Sequence, residues 1–479
     1  MFVKLLRIEA CIGLAAAILA GCAVGPDYRR PAPVASQATP AAFTVDGVTW
    51  KSAEPAASLP RGDWWTVFGE ADLNRLETLA ATQNQQLAGE VAALTQALAL
   101  VAEARSQYFP QLSVDPSYAR QRTSFNAPTQ GVSTKASYSY NLYTLPANLS
   151  WEIDLFGRIR RLTEGARARM SAAEDDVQSL ALLVQSEVAQ DYFTLRALDA
   201  EIGLLSDTAQ SYRRSLDLTQ NRRKGGIATD LDVSQAQTQL RTTEAQIPAL
   251  RLQRAQLLHA LAALCGQAPM TFDLTPSRSA EPGTHFAVPV RVPSELLERR
   301  PDIAGAERRV AAANADVGVA QAAFYPRLTV GGEAGLQSVN AGSLFDWPSR
   351  VWSLGPTVDL PLFTGGFNKA QLAAARAAYD AQVAEYRQTV LTAFQDVEDQ
   401  LAAQELLEQQ LQGESAALQS ARQTLEIANN RYKAGLVTYL DVVTSESDEL
   451  ALERTVVQLE GERRVAAVGL IKALGGSWQ

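Results

Sequence analysis

The chain carries one structural unit twice, and that duplication limits its fold more than any other feature. The segment NRRKGGIATDLDV at residues 221–233 returns 209 positions later as NRYKAGLVTYLDV at 430–442, with eight of 13 positions identical. Likewise ARSQYFPQLSV at 104–114 matches AQAAFYPRLTV at 320–330, and both copies close on Leu-x-Gly, at Leu264–Gly266 and Leu474–Gly476. Solenoid repeats run to roughly 20–50 residues. A period near 210 residues is a duplication of a whole unit, here 63–267 and 294–476 around a linker at 268–293.

Each copy reads helix, two strands, long helix, turn, helix. Arg158 to Lys224 contains no proline, and only Gly165 and Gly203 interrupt it. Leu195, Leu198, Ile202, Leu205, Ala209, Tyr212 and Leu216 step by three and four, which is a coiled-coil seam. A helix over 158–224 would be ~100 Å long at ~1.5 Å per residue, and its twin covers 368–433. The return helices are expected over 230–263, where Pro248 should kink the first, and over 439–473.

Strands are predicted over 110–124, 135–155, 325–338 and 350–362 from period-2 alternation. Leu328, Val330, Ala334 and Leu336 oppose Thr329, Glu333 and Gln337, and Trp352, Leu354, Val358 and Leu360 oppose Ser353, Thr357 and Asp359. Leu149, Trp151, Ile153 and Leu155 alternate with Ser150, Glu152 and Asp154, but Tyr138, Tyr140 and Leu142 carry the opposite phase. That flip predicts a bulge near Tyr143, and Pro116 marks a second.

The N-terminus supplies an address. Lys4 and Arg7 precede an apolar stretch at 10–20, too short to span a bilayer but suited to a signal peptide over 1–21. It ends in Leu19-Ala20-Gly21-Cys22, which resembles a bacterial lipobox, so Cys22 is expected to be acylated and to begin the mature chain. Ala23 after it implies, by resemblance to bacterial lipoproteins, sorting to the outer membrane. Residues 22–62 form an extended strap poor in periodic apolar content, and Asp63-Trp64-Trp65 opens the packed structure. Beyond the signal peptide no apolar run reaches 18 residues, so no helical membrane span is expected. A sheet in a bilayer must close, and four strands are too few, since barrels need about eight or more. The chain must therefore oligomerise if its strands enter a membrane.

Gly25-Pro26-Asp27-Tyr28, Trp151-Glu152-Ile153-Asp154-Leu155-Phe156-Gly157, Glu298-Arg299-Arg300-Pro301-Asp302-Ile303, Ala306-Glu307, Tyr325-Pro326 and the two turns of the repeat resemble the TolC-like outer-membrane factors, in their lipoprotein branch. The resemblance spans nearly the whole mature chain. It implies a mostly α protein with a membrane β-barrel: a homotrimer with 12 strands in one barrel and 12 helices in a periplasmic tunnel. Its tunnel end would dock a periplasmic adaptor protein and an inner-membrane transporter of the RND type. The implied function is the exit duct of a tripartite efflux pump. A type I protein-secretion duct and a non-conducting coiled-coil lipoprotein remain open alternatives.

Within that resemblance Gly226, Ile227, Thr229, Gly435, Leu436 and Thr438 fall on adaptor-contact tip turns. Leu440, Asp441 and the repeat partner Asp232 fall on the periplasmic aperture, with Thr444 where relatives often carry a second acidic ring and Val437 where a gating arginine stands in some. Glycine suits a helix-to-helix turn, and threonine can cap the helix that follows, so local structure also accounts for these residues. Arg299, Arg300, Arg308 and Arg309 form a basic cluster expected to make structural ion pairs, and Thr364-Gly365-Gly366 is expected at a strand-to-helix passage.

A net charge of −9 provides no basic excess for nucleic acid. His259, expected in a core or interface, and His285 lack metal-ligand spacing partners, and neither a nucleophile elbow nor a P-loop is present. No enzyme, metal or cofactor is expected, apart from covalent lipid on Cys22. After removal of 1–21 one unmodified thiol remains, Cys265, so no intrachain disulfide can form.

Overall fold

The computed structural model describes residues 23–32, 62–124, 137–277 and 299–476; Cys22, His285, most of the strap and most of the linker lie outside them. The helices are α1 (Ala71–Gln83), α2 (Gln85–Ser106), α3 (Arg158–Lys224), α4 (Asp230–Leu264), α5 (Pro301–Ala322), α6 (Phe367–Lys433) and α7 (Tyr439–Ala473). The strands are β1 (Gln111–Val114), β2 (Ser117–Arg122), β3 (Ser139–Ile153), β4 (Arg327–Ser338) and β5 (Arg350–Asp359). The duplication is visible in the helix lengths. α2 and α5 have 22 residues each, α3 and α6 have 67, and α4 and α7 have 35. α4 runs through Pro248 without a break in the helix.

Two compact units result. The first comprises 1–31, 94–173 and 306–386, and it contains the sheet. All pairings are antiparallel, in the order β1-β3-β4-β5, with β2 also on β3. The first expected strand is thus broken into β1 and β2 at Asp115-Pro116, where Pro116 has no N–H to give the ladder. The break is not a bulge: Val114 faces Ala147 and Ser117 faces Thr144, so no residue is inserted, and the Asp115 N–H still donates to the Pro146 carbonyl at 3.2 Å. The bulge expected near Tyr143 is absent as well. β3 pairs with β4 without slippage from Tyr143↔Ser338 to Ile153↔Leu328. The phase flip in the sequence therefore has a different cause: Tyr138, Tyr140 and Leu142 project from the opposite face to Leu149, Trp151 and Ile153.

The strap's first residues are tied to this unit. The Val24 N–H donates to the Phe156 carbonyl at 3.0 Å, the buried Arg161 donates to the Gly25 carbonyl and to Asp27, and Asn314 donates to the Pro26 carbonyl. Tyr28 donates to Glu307, which also pairs with Arg30. The fit demands glycine on both sides: a Cβ on Gly25 would lie 2.6 Å from Gly318 Cα, and one on Gly157 would lie 2.8 Å from Ala23 Cβ.

The second unit comprises 32–93, 174–305 and 387–479. One core gathers Trp64, Trp65, Leu73, Leu76, Tyr192 and Phe193 with Leu261 of α4 and Ile471 of α7. A second is the coiled-coil seam itself: Leu205, Ala209, Tyr212 and Leu216 pack with Ala236 and Leu240 of α4 and with Tyr439 and Val442 of α7. Arg300 meets the expectation of a structural ion pair, reaching Asp302, Asp396 and the Ala473 carbonyl. His259 is not in the core of the chain: it is exposed on α4, which buries Leu261 and Ala262 instead.

The stretch Ala71–Ser106 is long and apolar enough to cross a membrane by length and composition, which corrects the expectation that no helix qualifies. Its apolarity is largely alanine. Asn84 interrupts it, and α1 places Leu73, Leu76, Glu77 and Ala80 inside protein.

Candidate functional site

The sheet has two chemically distinct faces. One carries the rows Leu112–Leu149–Gly332–Leu354, Val114–Ala147–Ala334–Trp352 and Ile153–Leu328–Val358. The other carries Ser113–Asn148–Glu333–Ser353 and Glu152–Thr329–Thr357. The apolar face is uncovered, with Trp352 81% and Leu354 67% exposed. A continuous apolar surface of this kind belongs against another apolar phase. From Tyr143 to Ile153 the apolar residues alternate over ten steps. At ~3.3 Å per step and a tilt of ~40° they make a band ~25 Å tall, the height of hydrocarbon that a membrane barrel crosses. The flip at Tyr140 and Leu142 lies where that band ends.

Among the described residues β5 pairs only with β4, while β1 and β2 pair only with β3. Such open edges would leave N–H and C=O groups unpaired in hydrocarbon, so further strands must come from other copies.

The tip turns are built alike. Gly226 and Gly435 adopt φ of +76° and +74°, and a Cβ on either would meet nothing within 4 Å, so the positive φ and not crowding calls for glycine. Each helix closes with the two bonds of a Schellman motif, Ile227 N–H to Arg222 O with Gly226 N–H to Arg223 O, and Leu436 N–H to Arg431 O with Gly435 N–H to Tyr432 O. The following helices start on capping boxes. Asp232 accepts from the Thr229 N–H at 2.7 Å and returns its own N–H to the Thr229 hydroxyl, while Asp441 accepts from the Thr438 N–H at 2.9 Å and hydroxyl at 2.7 Å. Those bonds from Thr438 hold the Asp441 carboxyl below its ordinary range. Thr444 turns its hydroxyl back onto the Leu440 carbonyl.

Four tip residues are apolar and exposed: Ile227 and its repeat mate Leu436, at 71% and 70%, and Leu231 with its mate Leu440. Sequence reasoning missed Leu231, although the repeat alignment alone pairs it with Leu440. It also missed an asymmetry in the copies. The Arg223–Asp230 ion pair of the first tip is replaced at the same repeat positions by the Tyr432–Tyr439 ring contact, with centroids 5.3 Å apart and planes tilted by 52°. Nearby on α7, burial and then Glu449 push the Glu446 carboxyl up to about 7.

An unclosed membrane sheet with one lipid-suited face, in a chain of paired coiled-coil helices, defines a subunit of an oligomeric outer-membrane channel. The chain belongs to the outer membrane efflux protein family, which matches residues 76–267 and 292–476. It is 33% identical to outer membrane protein OprJ of Pseudomonas aeruginosa over 467 residues, covering 97% of this chain and 95% of OprJ. It is 32% identical to the probable outer membrane lipoprotein SilC of Salmonella typhimurium over 476 residues, 96% of this chain and 97% of SilC. The solved outer-membrane channel OprN superposes with a TM-score of 0.85 at 31% identity, covering 95% of this chain and all of OprN's.

Proposed function

We propose that the chain is one protomer of a homotrimeric exit duct for a tripartite efflux pump, anchored by lipid on Cys22 and passing small molecules outward without catalysis. The four-strand-wide sheet with two open edges carries this reading: three copies supply 12 strands, enough for a barrel with a polar lumen. The exposed apolar pairs at the tips suit contact with a periplasmic adaptor protein, which would join the duct to an inner-membrane transporter of the RND type. Light scattering in detergent should report a trimer, intact mass should show an acylated chain beginning at Cys22, and planar bilayers should show discrete conductance. A stable monomer or a silent trimer would overturn the duct; an unmodified N-terminus would remove only the anchor.

The proposed aperture comprises Leu440, Asp441 and Asp232, with Thr444 one turn behind. Leu440→Ala should raise conductance for ions of either sign by removing bulk. Asp441 also caps α7, so Asp441→Asn, which keeps an acceptor, is the informative change. It should chiefly lower cation preference, and the effect should fade as salt shortens the Debye length from ~8 Å at physiological ionic strength. Asp232→Asn should act in the same sense, more weakly. Unchanged conductance and selectivity in all three would return these residues to helix capping alone.

A further inference from the structure

The unslipped register of β3 puts an aromatic and apolar cluster on the polar face of the sheet. Tyr140 faces Gln121, Leu142 faces Ala119, and the Thr123 N–H donates to the Tyr138 carbonyl, so all three side chains lie on the Ser117, Thr144 and Asn148 side. That side is the lumen once the apolar face meets lipid. Beside them Gln337, Ser338 and Val339 line an open groove of about 520 Å³. The rings of Tyr138 and Tyr140 stand 5.8 Å apart at 40°, and the Tyr140 hydroxyl donates to Gln121. The cluster lies at the end of the sheet where β2 leads to β3 and β4 to β5; the other end leads into the long helices. With the helices in the periplasm, the cluster is at the outer mouth.

A lumen needs no apolar lining there, and these residues pack no core: Tyr138 and Val339 are more than half exposed. Apart from Ala119, Pro146, Val351 and glycines, the remainder of the lumen face is polar, and its charges favour cations. Asp115, Glu152, Glu333 and Asp359 stand against Arg327 alone among the residues of that face, and Glu152 is paired with Arg158. Tyrosine faces attract cations and stack on aromatic rings.

We propose that Tyr138, Tyr140, Leu142 and Val339 form a binding site for planar aromatic cations at the outer end of the lumen, repeated once per protomer. The site rests on the duct reading above. It gives an outgoing aromatic cation a last resting place and lets one arriving from outside obstruct the exit.

The test is single-channel recording of the full-length protein in planar bilayers, with N-methylacridinium added on the extracellular side. Tetrabutylammonium, of like charge but without a π-system, is the control. N-methylacridinium should block, tetrabutylammonium should block at least tenfold less well, and the block should vary little with voltage because the site is shallow from that side. The double variant Tyr138→Ser/Tyr140→Ser should keep the unblocked conductance and weaken the block about tenfold, as two aromatic faces for stacking are lost. Tyr138→Phe/Tyr140→Phe should restore it. Equal block by both cations, full block in the serine variant, or steep voltage dependence would overturn the site. Absence of any conductance in the unaltered protein would sink the duct reading, and this site with it; conductance without aromatic block sinks the site only.

Discussion

Asp199→Ala should destabilise the second unit by about 3–5 kcal/mol, the range for removing one partner of a buried ion pair. The Asp199 side chain is 1% exposed and holds two arginines at once. Arg254 Nε donates to one carboxylate oxygen at 2.5 Å, while Arg196 Nη1 donates to the other at 3.2 Å, as does the Ser277 N–H at 3.3 Å. The same arginines fasten the chain that enters the linker between repeats, through the Thr275 and Leu274 carbonyls at 2.8 and 2.7 Å, and Arg196 also reaches Asp72 of α1. Removing the carboxylate takes the shared counter-charge from two partly buried arginines, of which only Arg196 keeps another carboxylate, Asp72, and leaves the Ser277 N–H without its acceptor. Denaturant titration followed by Trp64 and Trp65, which lie in the core bordered by Leu274, should show an earlier midpoint. Asp199→Asn, which keeps an acceptor but loses the charge, should fall between. A midpoint unmoved by Asp199→Ala would mean that Arg196 and Arg254 find other partners.

How much of this is legible in the sequence depends on the distance over which each feature is determined. The duplication and the seam from Leu195 to Leu216 are written in spacing, so periodicity alone exposes them, and the structure buries the seam residues, Leu198 and Ile202 in part. The two sheet faces are equally plain where alternation is regular. The flip at Tyr138, Tyr140 and Leu142 is visible too but suggests a bulge, because local sequence cannot distinguish a slipped register from a strand leaving an apolar band. Only the pairing of β3 with both neighbours decides it. The tips show a different limit. Glycine and threonine announce the turns, but the exchange of Arg223–Asp230 for Tyr432–Tyr439 requires knowing that positions seven apart meet across a turn. The Arg196–Asp199 pair has the i,i+3 spacing of a helix, but Arg254 and Ser277 lie 55 and 78 residues from Asp199 and are invisible, since no pattern links them to it.

Glu77 is equally invisible, and its replacement by leucine should stabilise the protein at neutral pH. The residue sits on the buried face of α1 beside Leu73, Leu76 and Ala80, is 0% exposed, and neither carboxyl oxygen has a hydrogen-bond partner. Burial pushes its pKa up to about 9, so at pH 7 it is a neutral acid inside an apolar core. The consequence for stability has a definite sign. In the unfolded chain the group ionises near its ordinary value of ~4.3, while in the folded protein it keeps its proton until about 9. Below the lower value both states are protonated and the group favours neither. Between the two the unfolded state alone ionises, so stability falls as pH rises, by ~1.4 kcal/mol per unit, to a deficit on the order of 4 kcal/mol at pH 7. Glu77→Leu removes that penalty, and the denaturation midpoint should rise most near pH 8–9 and least near pH 4–5. Cys265 offers a second readout. It is a free, buried thiol in the same core, its pKa raised to about 11 by burial and then by Glu77, and its Sγ–H donates to the Leu76 carbonyl. Alkylation of Cys265 in the native protein requires the core to open, so it should slow in Glu77→Leu at pH 8. An unchanged pH slope, with unchanged alkylation, would show that Glu77 is ionised and paired in the assembled protein.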